Sequence, residues 1–411
     1  MKKQLLCSTA LVGFVFLTAS HAYAACSDNT PISGDPPITC SGVDNTGIDG
    51  FTANNITLTV DGTGQLSTAG NTIQLGNNAI VDIASGATVV SSGSLGININ
   101  NNADITINGQ VQGLITSVQI GYGSIAIGAT GQVTADDVGI NILSAGGPST
   151  VDVAGTLGGS THAVQFAGAD DVFIYHSGAT VTGIVDGAGG ADEFHYNAGS
   201  SSSLDTTLIG TQYLSFDTFH KDGAATLTLT GTTAANWVVG TGTLIGTVNN
   251  LNNVDIESGS TLRLTTGGTL SGDITGAGDF EKIGGTILTL EGTNTFTGEL
   301  LVDSASLQVE DANAFSAVSQ VSLNNGALFR AANALVTDRD FGIGIGNATI
   351  DNNANALTLS GNIGGAGILT LDGGGSTLLT GNNSVAGFIL NTDTTGDTDL
   401  SLIHISEPTR L

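Results

Sequence analysis

Four histidines and two acidic pairs are the residues in the body of this chain best equipped for chemistry. His162, His176, His195 and His220 show no zinc-type spacing. His176 and His195 lie about one repeat apart, with Asp192 nearby, and are expected to stack as solvent-facing rungs. Asp170-Asp171 and Asp192-Glu193 have the composition of carboxylate pairs that cleave glycosidic bonds. The run "DGAGGADEF" at 186–194 approaches a calcium-binding nonapeptide: Gly187, Gly190, Asp192 and Phe194 are in place, and Ala188 stands where glycine is wanted. A calcium roll needs consecutive nonapeptides. The nearest echo, "GADDVF" around Asp170, comes about 22 residues away and not nine, so acidic corner turns are the expectation and calcium stays open at Asp170 and Asp192. Ser94 and Ser160 sit beside glycines without a G-x-S-x-G frame. No catalytic, cofactor-binding or metal-binding residue is therefore assigned, and no cofactor is expected.

These residues are held by a repeat. Apolar-amide-apolar triplets recur at Ile73-Gln74-Leu75, Ile97-Asn98-Ile99, Val118-Gln119-Ile120, Ile140-Asn141-Ile142 and Val164-Gln165-Phe166. Gly64, Gly86, Gly109, Gly131, Gly155 and Gly178 keep the same period of about 22 residues. Between them, β-branched and polar residues alternate, as in Val81-Asp82-Ile83 and Ile105-Thr106-Ile107, which predicts short strands broken by turns. Three such strands cannot bury their own apolar face, but a stack of units can. The fold class expected is all-β, a right-handed parallel β-helix. Ile73 and Leu75 point inward, and Gln74 lies outward in register with Asn98. About 16 coils at strand spacing make a rod roughly 75 Å long. A β-sandwich array is the alternative, and it would not require amides in register.

Composition narrows the function. The 411 residues include 61 glycines, 36 acids and only 8 lysines and arginines. Lys2 and Lys3, the apolar run from Leu5 to Ala19 and the small-x-small site Ala22-Tyr23-Ala24 read as a secretory signal peptide over residues 1–24. A retained anchor is the alternative. Beyond it, five basic residues up to 399 face about seven times as many acids, which disfavours nucleic acid and anionic membrane as partners. Cys26 and Cys40 bracket a proline-bearing loop in an N-terminal cap over residues 25–49. In an exported chain they are expected to form a disulfide; a lipidated Cys26 is the alternative, poorly served by Tyr23.

A longer repeat occupies the second half. "LSGDITGAGDFEKIGGTILTLEGTNTFTG" at 270–298 lies on "LSGNIGGAGILTLDGGGSTLLTGNNSVAG" at 359–387 without gaps, 89 residues on. A partial relative occupies 216–237. The first copy, through Gly276, Gly278, Lys282, Gly284, Gly285, Thr286, Leu290, Gly292, Asn294, Phe296 and Gly298, resembles the passenger-associated repeat of autotransporters (type V secretion). The second has Leu371 in place of the lysine and Val385 in place of the aromatic. The resemblance covers about a third of the chain, with repeats near 216–237, 270–309 and 359–387. It implies a β-helical passenger over 50–399, exported through the periplasm of a Gram-negative bacterium to the cell surface, outer membrane or medium. It also implies an outer-membrane β-barrel in cis and repeats that aid folding and export.

The last stretch, "LSLIHISEPTRL" over 400–411, departs from this composition within one residue. It resembles a translated transposase-type sequencing adapter and is expected to mark a cut in the gene; a genuine tail is the alternative. No barrel-like run of alternating strands precedes it, so the barrel is expected beyond the cut. The expected role is a structural or adhesive rod, not an enzyme, with host or neighbouring-cell surface components as partners. The alternative is a β-helical glycan-active enzyme, which should carry long loops and converging carboxylates between 186 and 220.

Overall fold

The computed structural model describes Cys26, residues 37–391 and the backbone of Leu400–Leu402. The signal segment, most of the cap loop and the rest of the tail lie outside the described residues. Among those described, every strand pairing is parallel, which excludes the sandwich, and the chain forms a β-solenoid of about 17 turns with about 21 residues per turn. The observed turn is one residue shorter than the 22 read from the glycines, because the coils shorten in the middle of the rod. Val81 to Ile105 is 24 residues, whereas Phe219 to Trp237 is 18 and Trp237 to Val254 is 17.

One face is a twelve-stranded sheet running from Ile38–Cys40 to Ile274–Gly276. Alternation along each strand sends one row inward. Leu58, Val81, Ile105, Ile125 and Val151 stack coil upon coil, and the row continues as Phe173, Phe194, Phe219 and Trp237. All are buried. Aromatics are few in the sequence, yet here they are consecutive rungs, with ring centroids 5.6, 5.3 and 5.5 Å apart. Such tilted contacts add to area burial.

A second sheet carries the amide triplets in the expected register: Gln74 beside Asn98, then Gln119, Asn141 and Gln165. Along this row Gln119 Nε2 donates to Asn98 Oδ1 at 3.4 Å. Tighter ladders stand at the neighbouring corner. Asn77 Nδ2 donates to Asn54 Oδ1 and Asn101 Nδ2 to Asn77 Oδ1, both at 3.1 Å. Beside them Asn55, Asn78 and Asn102 are bonded in series at 3.0 and 2.9 Å and all take positive φ, between 55° and 60°. Asparagine serves two needs there, tolerating the left-handed backbone and bonding to its own kind one coil away. The glycine series has a steric cause. A Cβ on Gly131 would sit 2.1 Å from the Ile107 carbonyl oxygen, and one on Gly155 would sit 2.3 Å from that of Gly131.

Ten- and seven-stranded sheets continue the rod, followed by a four-stranded one in which Leu400–Leu402 pairs with Thr377–Leu379. The 89-residue repeat is not a whole number of coils. Asp279–Ile283 lies in the ten-stranded sheet, and its counterpart Ile368–Asp372 lies in the seven-stranded one. The same run of sequence thus serves two different faces, because each face asks for the same inward apolar row and the same tight corner.

Candidate functional site

The histidine cluster forms between Glu193–Asn197 (EFHYN) and Thr218–Asp222 (TFHKD), which pair residue for residue. Phe194, Tyr196, Phe219 and Lys221 fill the interior, so Glu193, His195, His220 and Asp222 share the outer face. His195 stacks on His220, with ring centroids 4.1 Å apart and planes 6° from parallel. This corrects the expected pairing of His195 with His176. The register places Ile174 beside His195, and His176 instead bonds Asp152 at 2.8 Å. His195 is held at both nitrogens, by Asp222 Oδ2 at 2.7 Å from Nδ1 and Glu193 Oε2 at 3.0 Å from Nε2. Burial pushes its pKa down, but the two carboxylates outweigh burial and hold it above the usual histidine value. His220 is held below that value by burial and by His195. Its Nε2 is shielded from solvent, lacks a hydrogen-bond partner and lies 3.7 Å from Glu193 Oε2.

The acidic pairs lock corners. Asp171 Oδ1 accepts the Ser149 amide at 2.6 Å, Asp192 Oδ1 that of Asp171 at 2.7 Å, and Asp217 Oδ2 that of Asp192 at 3.1 Å. Each carboxylate thereby ties a corner to the preceding coil. Asp170 Oδ1 takes the Ala191 amide at 2.8 Å. Asp171 and Asp192 are buried. Burial, opposed in part by the Ser149 hydrogen bond, pushes Asp171 up to about 6, and burial raises Asp192 as well. Carboxylates this enclosed do not converge on a cleft. Open grooves of about 530 and 300 Å³ lie elsewhere, one beside Asn78, Ile80 and Tyr122, the other beside Phe51, Asn101 and Leu143.

The repeat motif reads as a set of corner devices. Gly276, Gly284 and Gly292 have φ of 96°, 99° and 76°. A Cβ on Gly278 would meet Ile256 Cγ2 at 2.4 Å, and one on Gly298 would meet the Gly278 oxygen at 2.1 Å. Gly285 has open space around it. Thr286 follows at the turn before Ile287–Leu290, whose Leu290 is buried. Lys282 is buried, and its Nζ donates to the Ile283 and Gly284 carbonyls at 3.1 Å each. Lys221 does the same at its own corner, bonding the Gly223 and Thr241 carbonyls. Sequence reasoning singled out Lys282 by motif and missed Lys221; its place in the inward phase of T-F-H-K-D was the available signal. Asn294 accepts the Ile274 amide at 2.7 Å and donates to the Glu291 and Ala314 carbonyls at 3.1 Å each. Phe296 packs edge-on against Phe280, centroids 5.9 Å apart. Phe296→Leu is expected to cost about 1–2 kcal/mol through lost burial and a small cavity. Faster amide exchange in the coils carrying Phe280 and Phe296, with distant coils unchanged, is the readout.

Cys26 and Cys40 are joined as a disulfide, with Cα atoms 4.2 Å apart. Among the described residues no helix is long and apolar enough to cross a membrane, which says nothing of β-barrels.

No family model and no solved structure matches the chain. The chain is similar to a protein described as "Adhesin BmaC autotransporter" from Brucella suis biovar 1 (strain 1330), 27% identical over 394 residues. The match covers 89% of this chain and 11% of that protein, so the chain spans about a tenth of its relative's length. The chain is thus similar to an autotransporter adhesin over most of its length, and its β-solenoid is typical of passenger domains.

Proposed function

We infer that this chain is part of an autotransporter passenger, an adhesive β-helical rod displayed on or released from a Gram-negative cell. The supporting observation is a parallel solenoid in steady register in a chain that resembles an adhesin autotransporter. Its outward rows of amides, threonines and acids present a long polar surface to host or neighbouring-cell components. Residues 1–24 direct export, the disulfide pins the cap, and a β-barrel in cis completes secretion.

In this reading the repeats near 216–237, 270–309 and 359–387 aid folding and export. Lys221 and Asn294 bond carbonyls one coil on, and Lys282 bonds two carbonyls within its own corner, so a newly emerged coil finds its corner already bonded. The rod is not an enzyme in this account: Asp171 and Asp192 are spent on backbone amides. The test is display of residues 1–399 fused to an autotransporter barrel on a non-adherent host. Surface exposure with increased attachment to epithelial cells or to sister cells is expected. Absence of surface product would sink the export reading, and exposure without attachment would sink the adhesive one. Turnover of a polysaccharide by the purified rod, abolished by Asp192→Ala, would favour an enzyme instead.

A further inference from the structure

We propose that Glu193, His195 and His220 form a binding site for one divalent transition-metal ion of the zinc class, bridging two successive coils. The donor atoms are two imidazole nitrogens and one carboxylate oxygen, a set suited to zinc, copper, nickel or cobalt and not to calcium or magnesium. They all lie within 4.8 Å of one another. Glu193 Oε2 is 3.0 Å from His195 Nε2 and 3.7 Å from His220 Nε2. Bonds of about 2.0–2.2 Å to a tetrahedral ion put ligands roughly 3.3–3.5 Å apart, between those two values.

Two further observations point the same way. His220 Nε2 is buried without a hydrogen-bond partner, an uncommon condition that calls for a cause; a coordinated ion would supply the partner. Asp222 holds His195 Nδ1 at 2.7 Å, the arrangement by which a carboxylate fixes an imidazole so that its other nitrogen faces a metal. Both Nε2 atoms face the same carboxylate oxygen, but the parallel rings aim their in-plane lone pairs side by side, so coordination of one ion requires the rings to rotate out of the stack. Because Glu193 and His195 belong to one coil and His220 to the next, the ion staples the stack across its outer face. The proposal is independent of the adhesive reading.

The experiment is calorimetric titration of the untagged, metal-stripped chain with zinc chloride, repeated with cobalt to read coordination from its visible absorption. Saturable uptake of one ion per chain is expected. His195→Gln and His220→Gln should each abolish it, His176→Gln should leave it unchanged, and Asp222→Asn should weaken it about 10–100-fold. No uptake by the parent chain overturns the proposal, as does uptake that survives both glutamine variants or is lost equally in His176→Gln. Should a variant fail to fold, the ring nitrogen shifts of the parent chain decide: movement of His195 and His220 on adding zinc supports the site, and movement of neither overturns it.

Discussion

Replacing Asn294 with alanine is expected to cost about 2–6 kcal/mol, among the largest effects of a polar substitution on this rod. The side chain is buried and makes three hydrogen bonds, all to backbone: it accepts from Ile274 N and donates to the oxygens of Glu291 and Ala314. Alanine would leave the Ile274 amide and the Ala314 carbonyl, both on buried residues, without that partner, while the carbonyl of the exposed Glu291 would turn to water. A buried polar group so orphaned costs about 1–3 kcal/mol. The bonds also run to three successive coils, since Ile274 and Ala314 are each 20 residues from Asn294. A solenoid is stabilised by nearest-neighbour contacts, so the damage should stay local. Hydrogen exchange should show lost protection around 274–314 with the coils near 60–160 unchanged. Thr293→Ala, at an exposed neighbour, is the control and should cost under about 0.5 kcal/mol. A cost below 1 kcal/mol for the asparagine, or exchange loosened equally along the rod, would contradict this account of the motif.

The difference between what could be read and what could not lies in coil length. The inward and outward phases were legible because a period-two alternation has one solution once a face is buried. Ile73, Gln74 and Leu75 fall as expected above Ile97, Asn98 and Ile99. The corners were legible as glycine and asparagine, whose backbone freedom is intrinsic. The partner of His195 was not. His176 is 19 residues before it and His220 is 25 after it, and a period near 22 lies midway between. The decision is made by the intervening turns, including the short 3-10 helix Thr206–Leu208 that lengthens the later coil. A shared frame, Phe194-His195 over Phe219-His220, carried the missing information; matching the aromatics fixes the register at 25. The acidic pairs sit at corners, the place expected of them, but the burial of Asp171 and Asp192 carried no signal in the sequence. Asp171 looks like surface acid by composition, yet the chain turns there so that its carboxylate meets the Ser149 amide inside the corner.

That buried carboxylate gives the second large effect, a fall in stability as pH rises from about 4 to about 7. Burial pushes Asp171 from 3.8 up to about 6. In the unfolded chain it loses its proton near the ordinary value, whereas the folded chain keeps it until about 6. Below 3.8 both states are protonated and no penalty applies. Between the two values the folded state binds more protons, so stability falls with rising pH, and above 6 the full penalty remains. A displacement of about two pH units corresponds to roughly 3 kcal/mol. Asp192, also raised by burial, adds in the same direction. His195 acts at higher pH: its contribution is complete below 6.5 and is lost as pH climbs through its raised value. Asp171→Asn keeps an oxygen for the Ser149 amide and removes the ionisation. It should remove most of the slope between pH 4 and 6 while leaving the decline above 6.5, which His195→Gln should remove in turn. Denaturant midpoints measured across this range separate the two. A slope between pH 4 and 6 that persists at full amplitude in Asp171→Asn would mean that the carboxylate is ionised in the folded rod, and that its Oδ2, which lacks a hydrogen-bond partner, is satisfied by solvent entering the corner.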